Sequence, residues 1–219
     1  TRTMITRVSL EYFKRFRTEV FDLDDQVVLA GPNNSGKSTL LQAVATWGMA
    51  VQRWRADRGD GASKATVRTG IPISRKDFTA IPLRDMSLLW ADRSTAYRKD
   101  EKPSAKPGYP KVLKIGVDGT DDEGTAWHVA ATIRYQSREL AYVKLAEADG
   151  TAVADLPKAV EAMQIVHVPP FSGIGAEETR YDRGYQNMLV GQGKPGDILR
   201  NLLLEVAQSD SNDWTALCA

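Results

Sequence analysis

Apolar residues recur along this chain in two rhythms. From Ile5 through Val8 and Leu10 to Phe13 they fall loosely at strand period, and TEVFDL and QVVLAG follow as two further extended stretches. Val27 to Ala30 is continuously apolar, the pattern of a strand buried on both faces. From Lys37 the period changes. Leu40, Val44, Trp47, Val51 and Trp54 recur at spacings of four and three, which predicts one face of an amphipathic helix. ISRKDF and RDMSLLW read as short ordered pieces, separated from the helix by a loop with Arg53, Arg55, Arg58, Lys64 and Arg68 against Asp57 and Asp60. Residues 98–111 carry three prolines and mixed charge, a linker or mobile loop. KVLKIGV, TAWHVAATIRY and ELAYVKLAEADG then alternate as three strands of an antiparallel meander, turning first at DGTDDEG. MQIVHV reads as another buried strand, stopped by Pro169 and Pro170. In PGDILRNLLLEVAQ, Ile198, Leu199, Leu202, Leu203 and Val206 share a helical face.

Composition narrows the class without choosing a function. With 219 residues, 42% hydrophobic and 26% charged, the chain has the makeup of a globular domain large enough to bury a core. A net charge of +1 argues neither for nor against a polyanionic partner. One cysteine, Cys218, rules out an internal disulfide framework and suits a reducing compartment. No apolar run approaches the ~18 residues of a membrane span, and TRTMITR has no signal-peptide apolar region behind it. The expectation is a cytoplasmic domain without a membrane partner.

The chemistry is concentrated in GPNNSGKST, Gly31 to Thr39, between the apolar run and the helix. Gly31, Gly36, Lys37 and Ser38 fit the phosphate-binding pattern G-x-x-x-x-G-K-[ST]. A loop that curls around phosphates points successive backbone N–H groups inward. Gly31, Pro32, Asn33, Asn34, Ser35 and Gly36 would form that cradle, with glycines permitting the dihedrals and the close approach. The helix opening at Lys37 presents unsatisfied N–H groups and a positive dipole end. Lys37 is the cation for the β- and γ-phosphates, the Ser38 hydroxyl a ligand for Mg²⁺, and Thr39 a contact for the α-phosphate. ATP with Mg²⁺ is the expected cofactor. No guanine-reading NKxD occurs, which argues against a GTPase.

Other constellations carry less. His128 alternates with core positions and is expected on the polar face of its strand, and His167 is expected as a satisfied core histidine. Glu177 and Glu178 read as loop carboxylates, open to Mg²⁺ or a partner subunit. Trp47, Trp54, Trp90, Trp127 and Trp214 read as core or interface residues. No metal-ligand cluster is visible in the sequence.

The order LEYFKRFRTEVFDLDDQVVLAGPNNSGKSTLLQAV, Leu10 to Val44, resembles the ABC-type ATPase heads of the SMC, RecF-like and OLD (overcoming-lysogenization-defect) group. VPPFSGIGAEETRYDRGYQNMLVGQGKPGDILRNLLLEV resembles the corresponding stretch of a bacterial subset of AAA-family ATP-binding proteins. The resemblance implies an α/β fold, a P-loop NTPase core with an additional antiparallel β-meander. It divides the chain into strands, P-loop and first helix (1–56), a basic and Pro-rich insertion (57–111), antiparallel strands with a core strand (112–170) and the start of a helical lobe (171–219). In such heads a basic residue after the first strand approaches the nucleotide, which makes Lys14, Arg15 and Arg17 candidates. A strand-end glutamine ligates Mg²⁺ and positions the attacking water; Gln192 in VGQG is the candidate, and Gln164 its rival.

Two family elements do not occur in the sequence: an apolar strand ending in Asp-Glu, and an LSGG-like signature, of which FSGIG has only some letters. The reading is therefore the N-terminal portion of a longer ATPase, binding ATP but not competent for turnover alone. The full-length protein is expected to be a homodimer engaged in DNA work such as repair or phage defence, with DNA or an effector protein as partners. Two alternatives stay open: a stand-alone nucleotide-binding switch without hydrolysis, and a P-loop kinase of unusual architecture.

Overall fold

The computed structural model describes residues 3–59, 70–78, 81, 83–98, 101, 108–168, 177–192, 194–209 and 214–215. They fall into two compact units, one from residues 1–77 with 84–167 and the other from 78–83 with 168–219.

The first unit is a mixed α/β structure. Its strands are β1 (Met4–Phe13), β2 (Phe16–Asp22), β3 (Ile71–Ser74), β4 (Leu113–Thr120), β5 (Ala126–Tyr135) and β6 (Leu140–Ala146). They form one sheet in the order β2-β1-β4-β5-β6-β3, and every neighbouring pair is antiparallel. The meander β4–β5–β6 is where the alternation predicts it. It is not an appendage: β1 pairs with β4 from Met4 opposite Thr120 to Glu11 opposite Lys114, and the opening hairpin and the meander are one sheet.

One face of that sheet is the core. Val8 and Leu10, then Ile115 and Val117, Val129 and Ile133, and Val143 and Leu145 are buried, each two residues from the next along its strand or in register with it. Helix α1 (Lys37–Gly59) covers this face with Leu40, Ala43, Trp47, Ala50 and Val51. Trp47 stacks on Trp127, rings 6.2 Å apart, and its indole N–H donates to the Val129 carbonyl at 2.9 Å. Trp90 is also buried, its N–H on the Lys111 carbonyl at 2.8 Å. His128 lies on the opposite, polar face, Nδ1 2.7 Å from Asp118.

Three expectations need correction. Val27 to Ala30 is not a strand, and Val28 is 91% exposed. Met163 to Val168 is not a strand of any sheet either. Its exposure alternates, with Met163, Ile165 and His167 half-buried and Gln164, Val166 and Val168 outward. The inward side rests on α1, where a Cβ on Gly48 would stand 2.7 Å from Ile165 Cβ. A doubly buried strand needs a ladder partner and apolar cover on each side. Among the described residues every strand belongs to the antiparallel sheet, which neither segment joins. Third, the first helix, expected within residues 1–56 with a basic loop opening at Arg53, runs as α1 to Gly59. Arg53 forms an ion pair with Asp77 and Arg55 donates to the Val160 carbonyl, at the short helix α2 (Lys158–Ala162), so these two cations are engaged within the fold. The remainder of that basic stretch, Lys64 and Arg68 included, lies outside the described residues.

In the second unit, α3 (Arg183–Gly191) is capped by Asp182, whose carboxylate accepts from the Tyr185 N–H at 3.1 Å. A 3₁₀ turn, Pro195–Ile198, leads into α4 (Leu199–Gln208). The expected apolar face is inward: Ile198 is buried, and Leu199, Leu202, Leu203 and Val206 are half-buried. Among the described residues no helix is long and apolar enough to cross a membrane, and no three His, Cys, Asp or Glu gather as a metal cluster. FSGIG, Pro169, Pro170 and Cys218 lie outside the described residues.

Candidate phosphate-binding site

Gly31 to Ser35 are exposed and Gly36 is half-buried where the loop leads directly into α1 at Lys37. The loop backbone departs from the conformations that side chains prefer. Gly31 has φ 151° and Gly36 φ 107°, both on the positive side where a Cβ is strained. Asn34, at φ 64°, is left-handed as well, a conformation Asn tolerates better than most residues. The Ser35 N–H closes a turn on the Pro32 carbonyl, and the Leu40 N–H on the Gly36 carbonyl begins the helix. Alternation of left- and right-handed residues is what turns consecutive N–H groups toward one centre.

Lys37 folds back over this loop. Its ammonium donates to the Gly31 carbonyl at 2.7 Å, the Pro32 carbonyl at 2.8 Å and Ser35 Oγ at 3.5 Å. A cation collecting three loop oxygens is placed to exchange them for phosphate oxygens, which accept the same donors with a stronger charge. Ser38 is exposed on the first turn of α1 and Thr39 half-buried beside it. No acidic residue occupies that first turn, so nothing there opposes the positive end of the helix. The residues present thus suit a polyphosphate: glycine dihedrals, an ammonium on the loop, and a hydroxyl able to hold Mg²⁺ at the helix start.

The three cations of the β1–β2 hairpin, Lys14 and Arg15 in its turn and Arg17 in β2, take different positions. Lys14, itself left-handed at φ 51°, donates to Gln42 Oε1 of α1 at 2.6 Å, and burial lowers its pKa. Arg17 pairs with Asp92 at 2.7 Å. Arg15 is the one beside the loop: its Cδ would lie 3.2 Å from a Cβ on Gly36, and its guanidinium is 5.7 Å from the Phe16 ring centre. Spacing alone does not distinguish these three, because the separation depends on how the hairpin meets α1.

Gln192 follows a helix rather than a strand. It is the exposed C-cap of α3 in the second unit, and its N–H satisfies the last carbonyls of that helix. Gln164 is exposed in the extended segment before Val168. Glu178 is engaged within its own unit. It accepts from the N–H groups of Arg200 and Asn201 at 2.8 and 2.7 Å and from the Asn201 amide at 2.6 Å, capping α4. Burial pushes its carboxyl up, and those N–H groups outweigh it, leaving it below the ordinary carboxylate value. Glu177 is exposed.

Strand hairpin, phosphate loop and covering helix suit a nucleotide-binding ATPase type of domain. The family model for the AAA domain matches residues 7–122, more than half of the 219-residue chain and the whole of this loop, and the chain belongs to that family. No curated protein matches the chain.

Proposed function

We propose that this chain is the ATP-binding lobe of an ABC-type ATPase head of the SMC, RecF-like and OLD group, serving a DNA-related process such as repair or phage defence. The observation that carries nucleotide binding is the Lys37 ammonium held by the Gly31 and Pro32 carbonyls over a loop with two positive-φ glycines. Gly31 to Thr39 would hold the phosphates and Ser38 the Mg²⁺, which when bound neutralises charge between the β- and γ-oxygens. The finer grouping is supported by the order of elements, an antiparallel hairpin before the loop and an antiparallel sheet laid over the helix after it.

The same reading accounts for the exposed apolar segments. Val27 to Ala30 and Met163 to Val168 are apolar, join no sheet among the described residues and carry outward valines, which suits two strands of the ATPase core completed by strands from the C-terminal part of a longer protein. Hydrolysis then needs that part for its acidic strand end, and the full-length protein acts as a dimer.

Titration calorimetry tests the nucleotide reading. MgATP is expected to bind the chain, and Lys37→Ala to weaken binding by about 100-fold, the order expected when a charged hydrogen-bond donor to phosphate is removed. Equal affinity of the variant would remove the loop from the site.

A further inference from the structure

The tip of the β1–β2 hairpin touches α1 and the phosphate loop at two points, through two consecutive side-chain directions. Phe13 and Phe16 close the hairpin as a cross-strand pair around Lys14 and Arg15. Phe13 is fully buried and bridges to Trp90, and the Lys14 N–H donates to the Leu89 carbonyl at 2.7 Å. The tip is therefore fixed from behind. In front, Lys14 reaches Gln42 in the second turn of α1. Phe16 reaches the other end of the contact: a Cβ on Gly36 would stand 2.4 Å from Phe16 Cζ and 3.1 Å from Cε2.

That distance shows that the Phe16 ring lies against the bare Cα of Gly36, where any side chain would collide with it. Phe16 is in turn held edge-on by Phe21, ring centres 5.4 Å apart at 70°, and flanked by Arg15. Gly36 is the last residue before α1, and its φ of 107° sets the angle at which the loop passes into the helix. An exposed loop with a left-handed residue and two positive-φ glycines has few internal contacts to hold that angle.

We propose that Phe16 is a positioning residue for the phosphate loop: its ring seats Gly36 and fixes the loop-to-helix angle, while Lys14, through Gln42, fixes the helix itself. Phe16 acts through Gly36 and touches no phosphate. The effect on nucleotide affinity rests on the nucleotide reading above; the effect on the loop does not.

Amide hydrogen exchange therefore comes first, on Phe16→Ala and on Phe16→Leu, which keeps apolar bulk but loses the ring. In Phe16→Ala the bonded amides at this junction, Ser35 and residues 40–43 of the first turn of α1, are expected to exchange about tenfold faster, while those of β4 and β5 keep the parental rate. Phe16→Leu is expected to lie between, and it carries the test if the alanine variant does not fold. Calorimetry with MgATP should then show affinity reduced about tenfold for Phe16→Ala, as expected for a misplaced rather than a missing donor, with partial return in Phe16→Leu. Unchanged exchange at Ser35 and at residues 40–43 overturns the proposal whatever happens to ATP. Faster exchange throughout the sheet overturns it too, because Phe16 would then be a general core residue. Local loosening in a parent chain that binds no ATP supports the seat and overturns the nucleotide reading instead.

Discussion

LKIGV in β4 and QVVLAG before the phosphate loop are alike in apolar composition and opposite in fate. In β4, Leu113, Ile115 and Val117 are fully buried, with β1 on one side, β5 on the other and α1 above. In QVVLAG, Val28 is 91% exposed and Val27 46% exposed. The two differ in partners rather than in residue type. A strand in mid-sheet has both rows of backbone groups satisfied and one face covered, so each apolar side chain contributes about 25 cal/mol per Å² removed from water. The same side chains left in water contribute almost nothing. Hydrophobicity along a chain reports what is available for burial, and the pairing decides what is used.

The largest effect expected from this contrast is in β4. Ile115→Ala should destabilise the chain by about 3 kcal/mol, since a fully buried residue in mid-sheet leaves a cavity its neighbours fill only in part. A urea titration measures it. A loss below about 1 kcal/mol would mean that the central strand is far less packed than its burial indicates.

Acid should act next, on carboxylates that the folded chain keeps ionised. The Arg138 guanidinium, with the Ser87 N–H, holds Asp85 at about 2, below its ordinary 3.8. Lys111 in the same way lowers Glu101, and backbone donors lower Glu178. A folded pKa below the unfolded one means that the folded state binds fewer protons. The stability these groups supply is present above the ordinary carboxylate range and drains away as pH falls through the folded values. For Asp85 the window is from about pH 4 down to about 2. Melting temperature followed from pH 6 to 3 should fall, and Asp85→Asn should flatten the lower end of that curve. An unaltered slope in the variant would show that the fold does not hold the Asp85 carboxylate below its ordinary range.

Much of this arrangement is legible in the residues. Alternation identifies β1, β4, β5 and β6 because one face of their sheet is covered and the other is polar, the condition that writes a period of two into a strand. The phosphate loop is legible because few residues other than Gly31 and Gly36 can take its dihedrals. What escapes is what depends on meetings between elements far apart in sequence. That Arg15 rather than Lys14 lies beside Gly36, or that Lys14 finds Gln42, follows from how the hairpin tip lands on α1. That Arg53 and Arg55 are engaged within the fold escapes because their partners, Asp77 and the Val160 carbonyl, come from elsewhere in the chain. Helix α3 has one local sign, Asp182 three residues before Tyr185, the spacing of an N-cap.

The smallest effect is the sharpest test of the comparison. Val28→Thr and Val166→Thr replace a methyl by a hydroxyl at side chains 91% and 78% exposed. A hydroxyl in water meets its own hydrogen-bond needs, so each change should move the stability of this chain by less than about 0.5 kcal/mol. In a protein whose further strands cover these positions, the hydroxyl would be buried against apolar neighbours at a cost of about 1–3 kcal/mol. The two urea midpoints, one for residues 1–219 and one for a longer protein containing them, then separate the environments directly. A substantial loss already in the 219-residue chain would show that Val28 and Val166 are packed within it, and the contrast with β4 would disappear. A negligible loss in both proteins would show that no further strand lies on these valines, and the completion of the core sheet proposed above would fall with it.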